Sequence, residues 1–236
     1  MYWFEILERA HCGAIAALVR LERWLKAMSM TAEFKNFLGF ASSFRGLMES
    51  AADTRYAFGD VPKGIAATFP FAYEAVRGKA SAVVVAPDLE NDLIHFSYAR
   101  KLKSNEEAPE SHTAKCMKEY LSALQGSTSG PLHDCYAELC NITHPAADSV
   151  LYLLEKKASG AICFRNEPDE AAIQDLCSRS ATVISYSVSE SFLYPLLILR
   201  VLNRFGLPEL RIVEAEEISL EHVPLWREIE AQLTIA

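Results

Sequence analysis

No stretch of this chain reaches the roughly 18 apolar residues that a membrane span requires. The closest, Phe192 to Leu202, is short and carries Arg200. The opening residues place Glu5, Glu8 and Arg9 where a secretory signal would need an apolar run, so no signal peptide is predicted. Cysteine is sparse: Cys12, Cys116, Cys135, Cys140, Cys163 and Cys177 are scattered over 236 residues. Such spacing reads as reduced thiols in the cytoplasm and not as a disulfide framework. Positive charge is in deficit, with 23 Lys and Arg against 31 Asp and Glu. A net charge of −8 argues against binding nucleic acid through overall charge, while leaving room for a local basic site. The phosphate-binding glycine loops, the G-x-S-x-G elbow and the H-E-x-x-H zinc helix are all missing, which argues against nucleotide-dependent enzymes and serine hydrolases.

What is present is core-forming material. Half of the residues are hydrophobic and 23% are charged, enough apolar surface to offset the entropy of folding. Phe4, Leu7, His11, Ala14, Leu18, Leu21, Leu25 and Met28 recur every three or four positions and predict a long amphipathic first helix. Phe34, Phe37, Ala41, Phe44, Met48 and Ala51 repeat the pattern in a second helix, with Thr31 as its expected cap and Gly59 and Pro62 as its end. The pair reads as an antiparallel hairpin. Ala80 to Ala86 is β-branched and apolar, a short strand or a buried connector. Further helices are predicted over Asp88–Lys103 and His112–Gln125, the latter closed by Gly126 and followed by the loop Gly-Ser-Thr-Ser-Gly. Another opens at Pro131 and runs to Thr143, where Pro145 stops it.

Ser149–Lys156 and Ala161–Arg165 change to the period of a strand and flank Ala158-Ser159-Gly160, predicting a β-hairpin. After Pro168 a long helix is expected to about Arg204, kinked or broken near Pro195 and closed by Gly206 and Pro208, with a last amphipathic segment over Ser219–Leu233. The expected fold is therefore mainly α, a multi-helix up-down bundle with one small β-hairpin near residues 149–165, in a single domain spanning 1–236. Trp3, Ile6, Ile15, Val19 and Trp24 widen the apolar surface of the first helix beyond one face, and that surplus predicts a homodimer.

The most distinctive segment is Tyr136-Ala-Glu-Leu-Cys-Asn-Ile-Thr-His144-Pro145. On a helix, Tyr136, Cys140 and His144 share one side. A histidine at a helix C-terminus is suited to proton transfer near neutral pH; the plainer reading is a Tyr and a His that pin a loop. Arg45, Glu49 and Asp53 fall four apart on the second helix. They offer a guanidinium and two carboxylates to an inward groove, or else two solvated ion pairs worth ~0.3 kcal/mol each. His95, with Tyr98, Arg100 and Lys101 nearby, is a candidate for the same groove as His144, and Asn141 is a further polar candidate. His11 sits in an apolar stripe and reads as a core residue. His133, Cys135, Cys140 and His144 include four zinc-ligand types, but 133 and 135 point to nearly opposite sides of a helix, so no metal site is expected. No cofactor is implied.

The paired long helices with Arg45-x3-Glu49-x3-Asp53, and the late helix ending Tyr136-x2-Leu139-Cys140-x3-His144-Pro145, resemble the HEPN superfamily. The likeness is closest to a bacterial group with a Tyr-x-x-Leu-Cys-x-x-x-His-Pro signature. It covers roughly residues 1–144 as a HEPN-like bundle; 145–236, the hairpin and C-terminal helices, has no counterpart in it. The resemblance implies a dimeric helical protein of bacterial stress response or phage defence, with RNA or a protein as partner. Members with a working site are metal-independent ribonucleases whose motif joins an Arg, a polar residue and a His. His144 matches that His, but Ala137, Glu138 and Leu139 stand where the Arg would be, and Arg45 is the substitute the other helix offers. Relatives with departures of this kind act as binding domains. Two functions follow as expectations: a binding or regulatory domain, or a metal-independent endoribonuclease using His144 and Arg45 with Tyr136, Glu49, Asp53, Asn141 and His95 in the pocket.

Overall fold

The computed structural model describes residues 1–80, 82, 84–125, 132–166 and 168–233. In chain order the helices are α1 Tyr2–Glu33, α2 Phe37–Phe58, α3 Val61–Ala67, α4 Phe69–Val76, α5 Pro87–Tyr98, α6 Met117–Gln125, α7 Leu132–Thr143, α8 Asp148–Leu151, α9 Pro168–Asn203, α10 Glu214–Glu217 and α11 Pro224–Glu230. One antiparallel hairpin, β1 Leu154–Lys156 with β2 Ile162–Phe164, interrupts them. The protein is thus a mainly helical bundle with a small β-hairpin, as the hydrophobic periods require.

The chain forms two compact units that do not follow a boundary at residue 144. The first comprises Met1–Leu18, Asp53–Cys116 and Ser191–Ala236; the second, Val19–Ala52 and Met117–Glu190. Helices α1, α2 and α9 contribute residues to both.

In the first unit the start of α1 buries Trp3, Ile6, Leu7, Ala10 and Ala14. The covered face is therefore turned towards Trp3 and Ile6, while Phe4, assigned to the apolar stripe by spacing, is 40% exposed. Trp3 and Ile6 consequently belong to this unit's own core and are not surplus surface. They join Phe58, Phe69, Leu93, Phe205 and Trp226, and Phe69 meets Phe205 edge-on at 4.7 Å between ring centres. Arg77 stacks on Tyr73 and donates to the Phe205 carbonyl at 2.6 Å, tying α4 to the end of α9. Gly206, at φ +64, occupies the left-handed position that closes a helix, and Pro208 follows it. Helix α9 runs unbroken through Pro195. By length and mean hydropathy, 1.3 over its most apolar 18 residues, α9 could cross a membrane; 56% of that stretch is buried.

In the second unit Phe37, Phe40, Phe44, Leu47 and Met48 of α2 are buried, as are Leu121, Leu132, Leu139, Ile173 and Leu176. Thr31 does not cap α2. It lies inside α1, with its hydroxyl bonded back to the Ala27 carbonyl at 2.7 Å. The cap is Asn36, whose Oδ1 accepts the Gly39 N–H at 2.8 Å, and Asp169 from the first turn of α9 accepts the Phe37 N–H at 2.9 Å. Lys35, at φ +51, makes the turn and pairs with Glu170.

The structure corrects several boundaries. Helix α5 ends at Tyr98 and not Lys103, because Arg100 leaves the helix to bridge Thr113. Pro62 opens α3 in place of merely ending α2. Residues 149–151 are helical, so the hairpin begins later than its alternation suggested. Gly160, at φ +85, makes its turn. The final segment narrows to Pro224–Glu230. The expectations for Gly126, for the loop after it and for Pro131 lie outside the described residues, as do Ser81 and Val83 of the expected strand; 84–86 is irregular.

Candidate functional site

The polar cluster of the second unit is built by α2 and α7. Leu132, Cys135, Leu139 and Ile142 hold α7 against the core, which leaves Tyr136 and Thr143 half-buried at its margin. The last helical bond, His144 N–H to the Cys140 carbonyl at 2.9 Å, carries the chain one residue past α7. There Pro145 ends the helix and His144 stands exposed. On α2 the buried positions Phe44, Leu47 and Met48 set the rotation, and Arg45 and Glu49, one turn apart, emerge towards α7.

Five side chains form a row. Tyr136 donates its hydroxyl to Glu49 Oε1 at 2.8 Å. The same oxygen lies 3.4 Å from Arg45 Nε. Arg45 Nη1 donates to Thr143 Oγ1 at 2.7 Å and lies 3.2 Å from His144 Nε2. Guanidinium has only donors, so a hydrogen bond at this contact requires Nε2 as the acceptor. Thr143 passes the contact on by donating to the Leu139 carbonyl at 2.7 Å. Arg45 Nη2 has no bond among the described residues, and the Arg45 side chain is 26% exposed. Burial, then the bond to Glu49, raises the Tyr136 pKa well above the ordinary phenol value.

This arrangement presents one guanidinium edge and one imidazole at an open rim, a combination that suits an oxyanion with an acidic proton close by. Glu49 lowers the net charge that such a ligand would meet.

Asn141 is exposed on α7. Asp53 and His95 belong to the first unit, where His95 is buried at 5% exposure beside the Tyr56 ring, their centres 5.0 Å apart. His11 is half-buried, with its pKa lowered mainly by burial. Among the described residues no three of His, Cys, Asp and Glu are grouped as a metal ion would need. Cys135 is engaged with Ser180 at 3.6 Å.

Thr143 is the participant that sequence reasoning missed. Its signal was its place immediately before the terminal His, where a β-hydroxyl bonds back to the preceding turn. A second feature of this unit is a cleft of about 760 Å³ lined by Phe37, Tyr152, Arg165, Asp175 and Arg179 among others. Its cations are already engaged: Arg179 holds Glu138 in a two-pronged bond at 2.8 and 2.9 Å together with Asp175, and Arg165 Nε donates to the Leu154 carbonyl.

No protein-family model, no curated protein and no solved structure matches this chain.

Proposed function

We propose that the protein is a cytoplasmic HEPN-like binding domain, of a bacterial stress or phage-defence type, that takes a phosphodiester of RNA at the Arg45–His144 edge. The observation that carries the reading is the 3.2 Å contact between Arg45 Nη1 and His144 Nε2 at an exposed rim, with Arg45 Nη2 left for a ligand. A phosphate oxygen accepting from Nη2 gains a charge-assisted bond in a fixed geometry. With a net charge of −8, affinity would rest on this local site and fall with salt.

A second reading, a metal-independent endoribonuclease, has its own support. His144 would serve as the general base if Arg45 released its Nε2, and Arg45 would then stand on the phosphate. Against it, Nε2 is engaged by Arg45, the described cluster brings no second histidine to act as the acid, and Glu49 competes for the cation.

Fluorescence anisotropy with a labelled single-stranded RNA tests the first reading. Wild type should bind saturably, and Arg45→Gln should weaken binding about tenfold, the loss of one charge-assisted contact. Equal binding by both proteins would sink it. Cleavage of the same RNA in EDTA, abolished in a folded His144→Gln variant, would select the nuclease instead. A homodimer belongs to the same proposal, supported by the exposed apolar residues Val19, Leu25 and Met30 of α1; a monomer mass at micromolar concentration would remove it.

A further inference from the structure

The first unit contains a cavity that plays no part in the Arg45–His144 edge. It is about 360 Å³, of small-metabolite size. One wall is α5, with Asn91, Asp92 and His95; Tyr56 of α2 supplies another. The third is the segment Pro109–Lys115, held in place because Arg100 N–H donates to the His112 carbonyl and Ala114 N–H to the Arg100 carbonyl, each at 3.0 Å. The cavity is therefore framed by backbone bonds and not by a loose surface loop.

Charges in this cavity are unevenly matched. Lys115, largely buried, is paired with Glu110. His95 is buried and held towards its neutral form, first by burial and then by Lys115, against the opposite pull of Asp53, the Ser111 carbonyl and Glu110. Of the charged side chains on the wall, Asp92 is the one with no hydrogen bond or ion pair among the described residues. The charges acting on it, Asp60 and Asp88, are both negative. A half-buried carboxyl among other carboxylates is a costly arrangement unless a cation completes it. The described residues do not group the three ligands that a metal ion would need. An ammonium group needs less: one carboxylate, hydrogen-bond acceptors and an aromatic wall, all of which the cavity has in Asp92, Asn91 and Tyr56. A neutral His95 offers no repulsion.

We infer that this cavity binds a small molecule carrying a primary ammonium group, with Asp92 as its counter-ion. Anionic ligands are excluded by the same charges, since Lys115, the cation of the described wall, is already paired.

The test is calorimetric titration of the full chain at pH 8 with butylamine, putrescine and phenethylamine, beside butyrate, succinate and 3-phenylpropionate as carboxylate counterparts. Asp92→Asn is the variant, its fold checked by circular dichroism, and Asp175→Asn in the second unit is the control. Saturable binding of at least one amine, weakened tenfold or more in folded Asp92→Asn and unchanged in Asp175→Asn, is expected. Absence of saturation for all three amines would overturn the inference. So would binding that survives in Asp92→Asn, or equal binding of the matching carboxylate.

Discussion

Replacing Asp92 by Asn should make the protein more stable at neutral pH and leave it unchanged in acid. Burial, followed by the charges of Asp60 and Asp88, raises the Asp92 carboxyl from 3.8 to about 6. A carboxyl whose folded pKa lies above its unfolded one keeps its proton longer in the folded state. Its neutral form therefore costs nothing below the unfolded value, and stability falls as pH rises from 3.8 towards 6. Above that range the penalty is constant. A rise of this size corresponds to about 3 kcal/mol for a group shielded from water. Asp92 is only about half-buried, and screening by solvent brings the figure to about 1 kcal/mol.

Asn is nearly isosteric and carries no charge, so Asp92→Asn removes the penalty while keeping the shape. The variant should melt about 2–4 °C higher than wild type at pH 7.5. The two should melt together near pH 3.5, where both side chains are neutral. Taking the difference between the proteins cancels every other titrating group. Thermal melts followed by circular dichroism at the two pH values decide it. A variant no more stable at pH 7.5, or equally stabilised at both pH values, would show that Asp92 carries no buried-charge penalty. The same experiment with a saturating amine ties the penalty to ligand binding, because the ammonium should stabilise wild type and not the variant.

Three further outcomes are expected. Gly46→Ala should lose about 1–2 kcal/mol in urea denaturation: the new Cβ would stand 2.5 Å from the Trp24 ring, and overpacking outweighs the better helix propensity of Ala; an unchanged midpoint would mean that Trp24 swings aside freely. Tyr136→Phe should cost about 1 kcal/mol through the lost bond to Glu49, and should delete the slowest-rising component of the alkaline absorbance titration, since burial and Glu49 hold that phenol above the others. Glu49→Gln should strengthen RNA binding several-fold by freeing the Arg45 charge, so weaker binding by that variant would count against a phosphate at this edge.

The helices were legible because burial in a bundle imposes one dominant period, and that period survives even where the phase is misread. On α1 the stripe through Phe4, His11 and Leu25 and the buried set through Trp3, Ile6, Leu7 and Ala10 differ by part of a turn. Small residues account for the shift. Ala10 and Ala17 pack closely at 0–1% exposure, yet hydrophobicity by size discounts them against a larger Phe or Leu. Cap chemistry was misassigned for a related reason. Thr31 and Asn36 are both acceptable caps by type, and the choice between them depended on Asp169, which meets the Phe37 N–H from 132 residues away. The hairpin was placed by its turn, where Gly160 needs a positive φ, but alternation extended into 149–151, where a short helical turn forms instead.

For the site, the difference between what could and could not be read lies in sequence distance. Tyr136, Cys140 and His144 share a face because helical geometry is local, and Arg45 and Glu49 pair for the same reason. That Tyr136 reaches Glu49, and that Arg45 reaches Thr143 and His144, depends on which helices pack together: a cost argument says only that half-buried polar groups at the seam of two apolar helices must find one another. That argument has no power to separate residues that are equally polar and lie at similar heights on their helices. Asp53 continues the Arg45–Glu49 series by one more turn, yet it falls in the first unit and acts on His95. Asp92 was invisible for the opposite reason. A carboxyl in Asn-Asp-Leu looks like any solvated helix residue, and its burden comes first from burial, then from Asp60 beyond the helix and Asp88 within it. A missing partner leaves no mark on a sequence, so a site defined by one unmatched charge emerges only once every neighbouring charge has been placed.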